Sequence, residues 1–328
     1  MYRHLVTLLQ HHFSMEDIRI ELLADHTANN DSKVYSIQSP SEKYVLKEML
    51  PEDRLKDEDN LVAHLLSKGI KVPKIYLTTS GDATFIHDGF LYILYEFIEG
   101  MAFDLNTAPP WALKKSAQTL GQIHSALYDY KKMPLEIDQE AFAAEEYTEE
   151  EQYIKDKLTE AKEKDDRLLV AALEERLKHI EKVSHFSFDC DKFTYVNSHG
   201  DFYMAQIIVK DDEFVVIDWT QTGRVPACFE VLISYTYAAP ECKDGAIDVA
   251  MFKPYLNEYL KYAPIPLSSY DLQMMPYLLY HHCALWSFAP PYDDLPKEYQ
   301  QIASLTDNLA NWLYHHVDTL AEDLTVLA

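Results

Sequence analysis

Three short stretches of this 328-residue chain carry side chains that could do chemistry together. One is Ser198-His199-Gly200-Asp201, with Gln206 five residues beyond the aspartate. Another is Val216-Ile217-Asp218-Trp219, and the third is Lys47 between Val45 and Met49, with Glu58 eleven residues further on. These residue types suit phosphoryl transfer, where catalysis is mostly positioning and charge stabilisation. One carboxylate must hold an acceptor hydroxyl and take its proton, and Asp201 is the candidate. Hard oxygen ligands must fix Mg²⁺ against phosphates, a task for Asp218 and the neutral carbonyl oxygen of Gln206. A lysine must neutralise phosphate charge and a carboxylate must aim it, which points to Lys47 and Glu58.

The elements that would position these groups follow from hydrophobic periodicity. A short amphipathic helix over 2–12 precedes strands around 18–22, 34–38 and 43–49. On the last of these Val45, Lys47 and Met49 share one face, because strand side chains alternate. A helix is expected over about 55–67, stopped by Gly69. Asp88-Gly89 is a two-residue hairpin signal between 84–87 and 90–97, and the uniformly apolar run from Phe90 to Tyr95 reads as a central strand. Beyond Gly100 the pattern turns helical. Helices are expected over 111–128, over two charged stretches within 145–183 broken near Lys164-Asp165-Asp166, and over 247–262, 270–288 and 299–324. Pro254 and Pro276 fall inside two of these, so kinks or later starts are expected there. A hairpin joins 206–210 to 214–217 and would bring Gln206 and Asp218 to neighbouring strand ends.

Composition narrows the field. There are 29 basic and 54 acidic residues, for a net charge of −25. Such a chain repels nucleic acid and anionic lipid, while a cationic or polyhydroxylated ligand remains allowed. Apolar residues make up 48%, enough for a real core. The chain holds only eight glycines, none clustered as GxGxxG or GxxxxGK. Both glycine-dependent nucleotide loops are thereby excluded. Four scattered cysteines make no disulfide framework and favour a reducing, cytoplasmic setting. No apolar run is long enough to span a membrane. The adjacent pairs His11-His12, His281-His282 and His315-His316 do not share a helix face and read as no zinc site.

The stretch from Ser198 to Val209, then Val215-Val216-Ile217-Asp218-Trp219, resembles the catalytic core of the aminoglycoside phosphotransferase and choline kinase-like family. The pattern there is HGDxxxxN, then a strand ending in DW or DF. Val45-Leu46-Lys47 resembles the family's nucleotide lysine, and Glu58 stands where its pairing glutamate is placed. Tyr95-Glu96-Phe97-Ile98-Glu99-Gly100 is similar to the interlobe hinge, and Leu120-Gly121-Gln122-Ile123-His124 to the helix after it. Gln206 replaces the usual Asn, Glu230 stands where many relatives carry Asp, and the stretch from Ala28 to Lys33 has no glycine.

The resemblance implies an α+β, bilobal, protein-kinase-like fold: a small antiparallel-sheet lobe over 1–98, a hinge near 95–100, and a larger helical lobe over 99–328 that carries the hairpin 197–220. It implies ATP and Mg²⁺ as cofactors and transfer of the γ-phosphoryl group to a hydroxyl of a small molecule. Backbone groups of Glu96 and Ile98 would hold adenine, Lys47 paired with Glu58 would meet the α- and β-phosphates, Gln206 and Asp218 would bind the metal, and Asp201 would act as base. His199 would support the loop. Glu230, Asp293 and Asp294 are candidate acceptor-binding carboxylates for an amine-bearing molecule. Among relatives, aminoglycosides, choline, amino sugars, homoserine and methylthioribose are phosphorylated. Each residue alone has a plainer reading, Lys47 as a snorkelling lysine and Asp201 as a turn former. A non-catalytic, nucleotide- or protein-binding module is the competing class, but a full set of lysine, glutamate and two aspartates is more than binding requires. A protein kinase would carry separate His-Arg-Asp and Asp-Phe-Gly motifs, which are missing.

Overall fold

A computed structural model describes residues 2–26, 32–51, 57–131, 144–285 and 289–327. The chain is α+β and forms two compact units. The first comprises the described residues of Met1–Ala102, Asp129–Leu135 and Gln206–Thr222, and the second those of Phe103–Tyr128, Glu136–Ala205 and Gly223–Ala328. The segment before Val34 noted for its lack of glycine falls largely outside the described residues, as does the expected start of the helix near 55.

The first unit is built on an antiparallel sheet. Its strands are β1 (Arg19–Asp25), β2 (Lys33–Gln38), β3 (Lys43–Met49), β4 (Ile75–Tyr76), β5 (Thr84–His87) and β6 (Phe90–Glu96). They run in the order β1-β2-β3-β6-β4, with β5 also paired to β6. β6 is therefore central, as its apolar run indicates. The β5–β6 hairpin turns through Asp88 and Gly89, both at positive φ (49° and 84°), as a tight two-residue connection demands. One sheet face carries Tyr35, Ile37, Leu46 and Leu94, packed against Leu5, Leu8 and Leu9 of helix α1 (Arg3–Phe13). The spacing i, i+3, i+4 puts those three leucines on one stripe. The opposite face carries Val45 and Lys47. Helix α2 (Glu58–Ser67) buries Glu58, Leu61, Val62 and Leu65.

The hairpin of β8 (Ile207–Lys210) and β9 (Glu213–Val216) belongs to this first unit. The expected boundary at 98–99 would have placed it in the other. Backbone hydrogen bonds explain the difference: Val216 N–H donates to Lys71 O at 2.9 Å, and Met101 and Val209 exchange two bonds of 3.1 and 2.7 Å. Gly100 permits this approach, because a Cβ there would lie 2.4 Å from Val209 O.

The second unit is helical: α3 (Pro110–Leu127), α4 (Ala144–Glu163), α5 (Arg167–Val183), α6 (Ala227–Ala238), α7 (Val249–Leu260), α8 (Ser269–Ala284) and α9 (Lys297–Thr325), plus a two-stranded ribbon of β7 (Tyr195–Ser198) and β10 (Gly223–Pro226). α4 and α5 break where expected: Asp165 adopts φ 52° and the Asp166 carboxylate caps Leu169 N–H at 3.1 Å. Pro254 and Pro276 lie within α7 and α8, which run through them. α6, β7 and β10 were not expected from the sequence. α6 is buried around most of its circumference and so shows no amphipathic period. None of the described helices is long and apolar enough to cross a membrane.

Packing in this unit makes it acid-sensitive. Burial lowers His281 and His282 at the end of α8 to about 4, helped by His282 on the former and Arg176 on the latter. In the unfolded chain both titrate near 6.5. Between roughly pH 6.5 and 4 the unfolded chain binds more protons, so stability falls as pH falls, by about 3 kcal/mol per histidine across that window. Urea titrations from pH 7.5 to 5 should show the loss. Replacing both histidines with Gln should flatten the slope, and an unchanged slope would refute their role.

Candidate functional site

In the first unit, the sheet face away from α1 opens on a cavity of about 350 Å³. Val34 and Val45 form one wall, Ile208 and Ile217 another, and Glu96, Phe97 and Ile98 line it as well. Lys47, Glu58, Tyr95 and Asp218 supply its polar groups. Strand register accounts for the grouping. Val34 pairs with Lys47 and Val45 with Tyr95, and directly opposed residues present side chains to the same face. The apolar part suits a flat, weakly polar ring, and the charged part suits phosphates.

Lys47 donates to Asp218 Oδ1 at 2.6 Å, joining residues 171 positions apart. The expected pairing of Lys47 with Glu58 is not the one formed. Glu58 Oε1 accepts instead from the Tyr95 hydroxyl at 2.7 Å. The physical reason is burial. Asp218 is 36% exposed at its side chain, so its charge is sustained by water, whereas Glu58 is buried. Burial pushes the Glu58 carboxyl up to about 7 against the pull of the Tyr95 hydrogen bond and of Lys47. Burial therefore weakens Glu58 as a partner for the ammonium. Tyr95, read in the sequence as part of the hinge, is thus a polar member of the site. Its signal was that, of the two tyrosines in the central strand, Tyr95 is the one on the face of Val45 and Lys47.

Asp218 sits two residues past β9 in the left-handed region (φ 58°, ψ 71°) and also accepts from Thr220 Oγ1 at 2.8 Å. Gln206 ends a 3-10 turn just before β8 and so is not itself on the strand. Its backbone carbonyl accepts from Ile217 N–H at 2.9 Å, which sets it beside the residue preceding Asp218. The partly exposed Asp218 carboxylate is the kind of hard oxygen donor that suits Mg²⁺, which takes one or two protein oxygens and completes its octahedron with water and phosphate.

The other candidate residues read from the sequence lie in the second unit. β7 delivers Ser198-His199-Gly200-Asp201, with His199 fully buried and its Nδ1 accepting from Asp201 N–H at 3.3 Å. That is a supporting role for His199, as expected. Glu230 is not open to an acceptor. It is 2% exposed, with Oε1 accepting from Gly200 N–H at 2.9 Å and Oε2 3.1 Å from His124 Nε2. His124 Nε2 also lies 2.7 Å from Ser198 Oγ, and its Nδ1 is 2.9 Å from the Tyr259 hydroxyl. These donors hold the Glu230 carboxyl below its ordinary range despite burial. The carboxylate secures the loop that bears Asp201, and its chemistry is consumed in doing so. Asp293 and Asp294 are exposed in the segment before α9; among the described residues, no hydrogen bond or ion pair of their side chains reaches residues 198–201 or Glu230.

A model of the phosphotransferase enzyme family matches residues 24–265. The chain belongs to this family. No curated protein sequence matches it. The phosphotransferase fold recurs in solved structures at low identity. A spectinomycin phosphotransferase in complex with ADP and spectinomycin aligns with TM-score 0.63 and 18% identity over 99% of this chain and 98% of that one. An amicoumacin kinase in complex with AMP-PNP and Ca²⁺ aligns with TM-score 0.63 and 16% identity over 94% and 93%. A choline kinase from Cryptosporidium parvum aligns with TM-score 0.58 and 12% identity over 99% of each chain. The match to the phosphotransferase family spans Lys47, Glu58, Asp201, Gln206 and Asp218.

Proposed function

We propose that this phosphotransferase moves the γ-phosphoryl group of ATP to a hydroxyl of a small molecule. The observation that carries the reading is the Lys47–Asp218 contact at 2.6 Å in a cavity that also has apolar walls and the strand end Glu96–Ile98. Adenine nucleotides bound to two structures of the same fold support it.

The adenine ring would lie between Val34 and Val45 on one side and Ile208 and Ile217 on the other. The Glu96 N–H is already held by Lys74 O at 2.8 Å, so the groups assigned to the base are the Glu96 carbonyl and the Ile98 N–H. Lys47 neutralises phosphate charge, and Glu58 backs it from α2. Asp218 and Gln206 are the assigned Mg²⁺ ligands, and the ion would neutralise charge on the phosphates. Asp201 orients the acceptor hydroxyl and takes its proton as the oxygen attacks phosphorus and ADP leaves. The net charge of −25 suits an acceptor bearing amines, such as an aminoglycoside, an amino sugar or a choline-like alcohol. Free thiols at all four cysteines suit the cytosol.

A thermal-shift titration with ATP and Mg²⁺ tests the nucleotide step. Ligand at 100 times its Kd should stabilise by about 2.7 kcal/mol, raising the Tm. A panel of amines, sugars and hydroxy compounds should then include one that accelerates ADP release. No shift with Mg²⁺ present would reject the reading. A shift without turnover on any acceptor would leave a nucleotide-binding module in its place.

A further inference from the structure

We propose that Tyr95 is a positioning residue for the nucleotide lysine: its hydroxyl fixes the Glu58 carboxylate so that the other oxygen is presented to Lys47 when phosphate and metal take up Asp218. The inference rests on the nucleotide reading of the same cavity and assigns a part in it to a residue with no chemistry of its own.

The geometry is specific. Tyr95 holds Glu58 Oε1 at 2.7 Å. Glu58 is only 5% exposed, and its Oε2 is buried with no hydrogen-bond partner. A buried carboxylate oxygen without a donor is costly and persists where something is poised to satisfy it. Lys47 is placed to do so. It lies on the sheet face of Tyr95, two residues along β3 from Val45, which is directly opposite Tyr95. Lys47, Glu58, Tyr95 and Asp218 all line one cavity. The ammonium has three donors, and the contact with Asp218 engages one of them.

The charges facing Glu58 agree with this assignment. Lys47 acts on it from β3, Tyr95 from β6, Asp218 from beyond β9, and Asp59 from its own helix. The hydrogen bond from Tyr95 is the largest influence opposing the burial that drives the carboxyl towards its neutral form. The hydroxyl therefore aims Glu58 and opposes the neutralisation that burial favours.

Tyr95→Phe removes one oxygen and keeps the ring, so the sheet packing is retained; Glu58 Oε1 loses its donor, so a modest fall in Tm is expected and binding is read well below the melting range. Its binding of ATP with Mg²⁺, read by titration calorimetry, should weaken about three- to tenfold, the worth of one such hydrogen bond. Adenosine lacks phosphates and should bind the variant as it binds the parent. In a Glu58→Gln background, Tyr95→Phe should add almost nothing, because the residue acts through Glu58. Equal weakening of adenosine and ATP would make Tyr95 a wall residue and overturn the proposal. So would an undiminished effect in the Glu58→Gln background, or parental ATP affinity in Tyr95→Phe. If the parent protein binds no ATP at all, the nucleotide reading falls and this inference with it. If the parent binds and Tyr95 has no effect, this inference falls alone.

Discussion

Asp201→Asn should lower turnover by about 10²–10⁴-fold, the usual contribution of a positioned general base, while leaving ATP binding intact. The substitution is nearly isosteric, and backbone contacts that it leaves in place help to hold the loop. Asp201 is tied to His199 through its backbone N–H, and the preceding Gly200 is tied through its own N–H to Glu230. The loop should keep its shape while the amide, which takes no proton from an alcohol, cannot serve as base. ADP release with the best acceptor of a panel measures turnover, and the thermal shift with ATP and Mg²⁺ measures binding. An Asn variant as active as the parent would remove Asp201 from the reaction.

The larger structural effect is expected at Glu230. Glu230→Ala should destabilise the protein by about 3–5 kcal/mol, the range for breaking a buried charged contact and stranding its partners. Gly200 N–H and the His124–Ser198 pair would lose their shared acceptor. The damage falls on the loop that carries Asp201, so turnover should fall further than ATP affinity. Glu230→Gln keeps an acceptor oxygen for one donor and should lose less of both. Denaturant melts and ADP release on the two variants decide the matter. Had Glu230 bound the acceptor, as one reading of the sequence allowed, the variants would raise the acceptor KM and leave the melts unchanged.

Much of this protein is legible in local pattern. The strand Lys43–Met49, the central Phe90–Glu96 and the turns at Asp88-Gly89 and Asp211-Asp212 follow from alternation and from residues that tolerate positive φ. The break between α4 and α5 follows from Asp165 and Asp166 in the same way. The order of Lys47, Glu58, Asp201, Gln206 and Asp218 was enough to point to the family, because spacing along the chain is a property of the sequence itself.

What tertiary structure decided were the partners. Lys47 meets Asp218 and Glu58 meets Tyr95 because burial makes one carboxylate a poorer anion than the other. Glu230 became a buried brace because His124, Ser198 and Gly200, distant in sequence, converge on it. β7 pairs with β10 across an intervening hairpin, and α6 is apolar nearly all round, so neither shows a period that a local window can detect. Residue type and spacing determine which groups a chain owns. The dielectric around each group, and hence its charge and its choice of partner, exists only after distant segments have packed together.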